Sequence, residues 1–265
     1  MCTVIGEDRP MTAASQNLLS GAAQFARYAF PPNDLGYCGP AGAEVLLESG
    51  QSAIDREAIA DRARQFEGAW VYLEIIAAAA GIDDPLDARV VEAYWIGNDL
   101  LDRVDPASCA EVLVHRFVGQ STSGLTPSAT KPAAEALPHH GFHVFTIYPW
   151  VGMLGGSNDP VAVSVLDNCR IRSGEVTEVA GDELQVLSRP LTWDGHALGL
   201  GAAQLERVRW ADAGRSLLGE VRPGQQVALH WSWACDQLTP EQLGRLEHYT
   251  RLQLDTTNTW LATSA

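Results

Sequence analysis

The strongest constraint on this chain is a change of hydrophobic period part-way along it. Up to residue 118 apolar residues recur at helical spacing, from residue 161 they alternate along short segments, and a stretch rich in Ser, Thr, Gly and Pro at 119–132 lies between. A helix buries a stripe of period 3.6 and a half-buried strand a face of period 2, so the two halves are expected to fold differently. The reading is an α+β chain: a helical N-terminal domain over 1–118, a linker and junction segment over 119–160, and a small β-barrel with a C-terminal helix over 161–265.

The first expected helix, 12–30, places Ala22, Phe25, Ala26 and Ala29 on one stripe, and Pro31-Pro32 is expected to stop it. Two further helices follow over 55–66 and 69–80. Asp84-Pro85 with Asp87, and later Asp105-Pro106, then supply the caps and N-terminal prolines of two more. Strands are expected at 144–148, 161–166, 169–179, 183–188, 203–210 and 225–233, and this density in so short a segment suggests the barrel. Thr239-Pro240-Glu241-Gln242 is a capping box opening the last helix, with Leu243, Leu246, Tyr249 and Leu252 facing inward.

Three places offer chemistry. Cys38 lies in a turn-rich stretch at 33–40, just before an expected short helix whose N-terminus would lower its thiol pKa; it reads as a reactive thiolate or a ligand, or as a small buried hydrophobe. His139-His140-Gly141-Phe142-His143 puts three imidazoles in five positions. His140 and His143 are therefore candidate metal ligands, or part of a solvated or hydrogen-bonded cluster at a domain junction. Cys169 and His230 sit on expected strands, with His230 on the face opposite the apolar set that holds Val227 and Leu229. Cys235 is a second thiol near a turn; Cys109 and the Tyr94-Trp95 patch read as core. No Gly-x-Ser-x-Gly elbow, His-Glu-x-x-His helix or Gly-x-Gly-x-x-Gly loop is present.

The order Cys169-x4-Gly174-x-Val176, then Gly224-x-x-Val227-x-x-His230-x-x-Trp233-Ala234, resembles the HypC/HupF family of nickel-iron hydrogenase maturation chaperones over residues 165–255. The resemblance implies an OB-like barrel whose cysteine and histidine, here Cys169 and His230, hold iron carrying cyanide and carbonyl ligands. It further implies an accessory protein rather than an enzyme, with a hydrogenase large subunit or another maturation protein as partner. The sequence departs from that pattern in two ways: Cys169 is internal where the family's cysteine is terminal, and Ser173 stands where a proline is usual. The whole chain also resembles an uncharacterised family loosely associated with nickel-iron hydrogenase gene clusters. The alternative from the residues alone is a metal- or cysteine-dependent enzyme at the domain junction, with Cys38 catalytic beside His140 or His143.

Composition limits the remaining classes. A formal net charge of −15 is a poor match to phosphate backbones, so nucleic acid is not an expected partner. No apolar run reaches the ~20 residues needed to cross a bilayer, and the first ten residues lack the pattern of a signal peptide, so no membrane partner and a cytoplasmic location are expected. Five cysteines without a paired spacing fit free thiols.

Overall fold

The computed structural model describes residues 13–48, 56–117, 136–216 and 218–264; the expected linker at 119–132 and Cys2 lie outside the described residues. The chain is α+β and ends in a long helix, as the change of period implies. The helices that precede the sheet are α1 (Ala13–Asp34), α2 (Glu44–Glu48), α3 (Arg56–Ala63), α4 (Glu67–Ala80), α5 (Ala88–Trp95), α6 (Pro106–Phe117), the single turn α7 (His140–Phe142) and α8 (Asp159–Cys169). The strands are β1 (Arg172–Ala180), β2 (Glu183–Ser188), β3 (Leu191–Trp193), β4 (Leu198–Leu200), β5 (Gln204–Arg209), β6 (Ala211–Asp212), β7 (Arg215–Ser216), β8 (Gln226–His230) and β9 (Trp233–Gln237), followed by α9 (Pro240–Ser264). Among the described residues no helix is long and apolar enough to cross a membrane.

Local signals set many of these boundaries. Asp87 caps α5 by accepting from the Arg89 amide, and Thr239 and Gln242 bond each other's backbone amides at the start of α9. Several expectations give way, among them the single strand at 225–233, which is two strands, β8 and β9. Residues 161–166 are helix: Pro160 enters at the first turn, and Ala162, Leu166 and Cys169 make a buried stripe of helical period. Cys169 is thus the last residue of α8 and not part of a strand. Residues 144–148 fall largely in a π-helical turn, His143–Ile147, and not in a strand. Leu252, expected on the inner stripe of α9, is exposed. Finally, α1 runs through Pro31 and Pro32, whose fixed φ suits a helix and whose carbonyls accept from Leu35, Tyr37 and Cys38.

The main sheet runs β1-β2-β5-β9-β8 and curls until β5 meets β9. That closing contact is a single parallel pair, Arg209 with Trp233, so the sheet barely closes rather than forming a continuous barrel ladder. Inside the curl Val176, Val186, Val208, Val227 and Leu229 form one apolar cluster. Gly174 permits close strand approach, since a Cβ there would lie 2.3 Å from Val186 Cγ1; the register of β1 against β2 shifts further on, between Val176 and Glu178. Outside the curl, Ala228, Trp233 and Cys235 join the core of α1, α4 and α5. Both faces of β8 are therefore buried. Val227→Ala removes two methyl groups from a fully enclosed position and is expected to lower stability by about 2 kcal/mol, read from a urea midpoint shift at unchanged slope.

Candidate functional site

Pro32 begins the construction of the site. It has no amide hydrogen, so the carbonyl of Tyr28, four residues earlier in α1, lacks its helical donor. His230 fills that place, with Nδ1 2.7 Å from the Tyr28 carbonyl oxygen. A carbonyl only accepts, so Nδ1 carries the hydrogen and Nε2 carries the lone pair. His230 is therefore oriented by backbone and almost wholly buried; the face of β8 opposite Val227 and Leu229 is covered by α1, not by water.

The histidine triplet folds as a tight turn. His139 caps α7 through the Gly141 amide, and the π-helical turn after it carries His143. His140 Nε2 donates to the Cys169 carbonyl at 2.8 Å, and its Nδ1 lies 3.1 Å from the Tyr94 hydroxyl. His143 Nδ1 lies 3.0 Å from the Tyr72 hydroxyl. Its Nε2 sits against Gly68, where a Cβ would come within 3.1 Å. The solvated reading of this cluster does not hold, because all three imidazoles are buried and each has a hydrogen-bond partner.

The β1–β8 pairing sets Arg172 opposite Leu229, so the residues leading into β1 and those ending β8 emerge at the same end of the sheet. Cys169 and His230 consequently line one cavity of about 280 Å³, and Cys38, His140 and His143 line it too. All five candidate residues meet there. Its other walls are aromatic or apolar, among them Tyr94, Trp95, Phe66 and Trp231, and among the described residues no carboxylate lines it. The volume lies near the lower end of the roughly 300–1,000 Å³ typical of small-molecule pockets.

The model of a family of unknown function, DUF6390, matches residues 17–264. The chain belongs to that family. The matched span contains Cys38, His140, His143, Cys169 and His230. No curated protein matches the chain, and no solved structure does.

Burial governs the charge state of this DUF6390 cavity. It pushes His140 down to about 4 and His143 and His230 down to about 3, with the neighbouring His140 as the second cause for the latter two. It pushes the Cys38 thiol up to about 11 and Cys169 up to about 12. At neutral pH the cavity thus presents neutral imidazoles and protonated thiols. The expected activation of Cys38 by a following helix does not occur, since α2 begins only at Glu44 and desolvation prevails.

Sequence reading passed over Trp231. It has φ 53°, a left-handed conformation that a large side chain avoids, and among the described residues only Ala213 is a second non-glycine of this kind. Three contacts hold it: its amide donates to the Asn168 carbonyl at 2.9 Å, its carbonyl accepts from Arg172 Nη2 at 2.8 Å, and its indole stacks on Tyr37 with centroids 4.1 Å apart. Arg172 is in turn paired with Glu206. Strain of this sort persists where surroundings enforce it, and here it places the residue after His230 in the cavity wall. The Trp-x-Trp sequence at 231–233 is the one signal that pointed to it.

Proposed function

We propose that this protein is a carrier of a small, soft metal group. In the form that its resemblance to hydrogenase maturation chaperones implies, the cargo is iron carrying cyanide and carbonyl ligands, the partner is a hydrogenase large subunit or another maturation protein, and the curled sheet is a minimal OB-like barrel. Cys169 and His230 are the ligands. The observation that carries the reading is the β1–β8 pairing, which brings both residues to one end of the sheet and into one cavity.

The donor chemistry supports a ligand-bearing fragment over a bare ion. Among the described residues no group of three or more His, Cys, Asp or Glu side chains is placed to hold an ion, and a bare zinc ion needs three or four protein donors. A fragment that brings its own diatomic ligands needs only two. The thiol supplies a soft anionic donor once its proton leaves, the His230 lone pair a second bond, and the apolar walls keep water away. An enzyme built on Cys38 fits less well. The imidazoles bond tyrosine hydroxyls and backbone groups rather than a carboxylate, and the thiol is held protonated.

Protein purified without oxygen from cells that make a nickel-iron hydrogenase is expected to show cyanide and carbonyl infrared bands. Cys169→Ala should abolish the bands and the bound iron, and His230→Gln should shift or weaken them. A bandless intact protein, together with normal hydrogenase maturation after deletion of the gene, would sink the reading.

A further inference from the structure

Two thiols line the cavity, and Cys169 alone is a ligand in the carrier reading. Cys38 is half-buried on the loop after α1, and this loop is fixed on several sides. Asn33 Nδ2 donates to the Cys38 carbonyl at 2.8 Å and to the Pro40 carbonyl at 2.6 Å, while the Cys38 amide donates to Pro32. Gly36 and Gly39 bracket it at φ 74° and 82°, the left-handed turns that let the chain double back over the cavity.

Trp231 then ties the two cysteine segments together. Its ring stacks on Tyr37, the residue before Cys38, and its amide bonds Asn168, the residue before Cys169. One strained residue thus holds the immediate neighbours of both thiols, and both cysteines line the same small cavity. We propose that Cys38 and Cys169 form a two-thiolate site for a thiophilic metal or metalloid centre, with Cys38 the outer ligand at the entrance and Cys169 the inner one. The assignment deepens the carrier reading and, for the iron group, rests on it.

The chemistry balances without an oxidant. Each S–H bond gives way to a sulfur–metal bond, and each proton leaves on a departing ligand of the incoming centre. Two sulfur donors on one cavity suit a thiophilic centre.

The test uses phenylarsine oxide on the full-length reduced protein. Its arsenic forms two As–S bonds with a close dithiol and releases the oxygen with both thiol protons as water. One arsenic per chain is expected, with digestion yielding a bridged pair of peptides that contain Cys38 and Cys169. Cys38→Ser and Cys169→Ser should each weaken binding by about 100-fold, the loss of the intramolecular second bond, while circular dichroism stays that of the parent. Cys235→Ser, a control outside the cavity, should leave affinity unchanged. Peptide mapping of the unmodified sequence decides the matter even if a variant misfolds: arsenic bridging another pair, or none, overturns the proposal. So does a Cys38→Ser protein that keeps the parent affinity, or that carries the same iron bands as the parent. Arsenic bridging at 38 and 169 in a protein without iron bands, with hydrogenase maturation normal after deletion of the gene, sinks the iron reading and leaves the thiol pair standing.

Discussion

Acidification from pH 7 to about pH 4.5 is expected to unfold the protein cooperatively, driven by its buried histidines. His139, His143 and His230 are pushed down to about 3 and His140 to about 4, burial being the first cause in each. Their unfolded values are near 6.5, so below that pH the unfolded chain binds protons that the folded chain refuses. For groups whose folded pKa is lowered in this way, the stabilisation is complete above the unfolded pKa and is lost as pH falls towards the folded one. The window is therefore pH 6.5 down to 3–4. At pH 5 each imidazole accounts for about 2 kcal/mol, and four together for about 8 kcal/mol, comparable to the whole stability of an ordinary domain at about 5–15 kcal/mol. Tryptophan fluorescence and far-ultraviolet circular dichroism followed against pH should give one coincident transition near pH 5. A fold that persists to pH 3 would mean that water reaches these rings and that the cavity is not dry.

Sequence reading located the cavity residues better than it located their surroundings. The change of period gave the α+β character, and the capping residues at Asp87 and Thr239 marked helix starts, because both signals are local. Cys38, His140, His143, Cys169 and His230 stood out as residue types with ligand atoms. Periodicity says which side chains share a face, but not what covers that face. Ala228 and His230 do oppose Val227 and Leu229, yet α1 packs on the side that alternation assigns to solvent. The valine-rich segment 161–166 satisfies both alternation and helical spacing, and only the buried stripe ending at Cys169 decides between them. Pro31-Pro32 misled in an informative way: the amide that Pro32 lacks does not end the helix, but frees the Tyr28 carbonyl that aims His230.

Gly21→Ala is expected to lower stability by more than about 3 kcal/mol, although alanine is the better helix former by about 1 kcal/mol. Gly21 lies in α1 where that helix crosses the start of α5. A Cβ there would stand 2.1 Å from the Leu86 carbonyl oxygen and 2.7 Å from the Ala88 nitrogen, both backbone atoms that cannot rotate aside. The helices must separate. Phe25 and Tyr28 follow on the same face of α1 at helical spacing, and Tyr28 stacks on Trp95 of α5 with centroids 5.3 Å apart. Displacing α1 therefore loosens the contact that fixes Tyr28, and with it the carbonyl that orients His230 in the cavity. Two readouts should move together: the denaturation midpoint, and the nuclear magnetic resonance shift of the His230 imidazole, whose Nδ1 hydrogen loses its buried acceptor. A Gly21→Ala protein stabilised by the ordinary helix gain, with the His230 signal unmoved, would show that α1 and α5 do not meet this closely, and the link from helix packing to the cavity would fail.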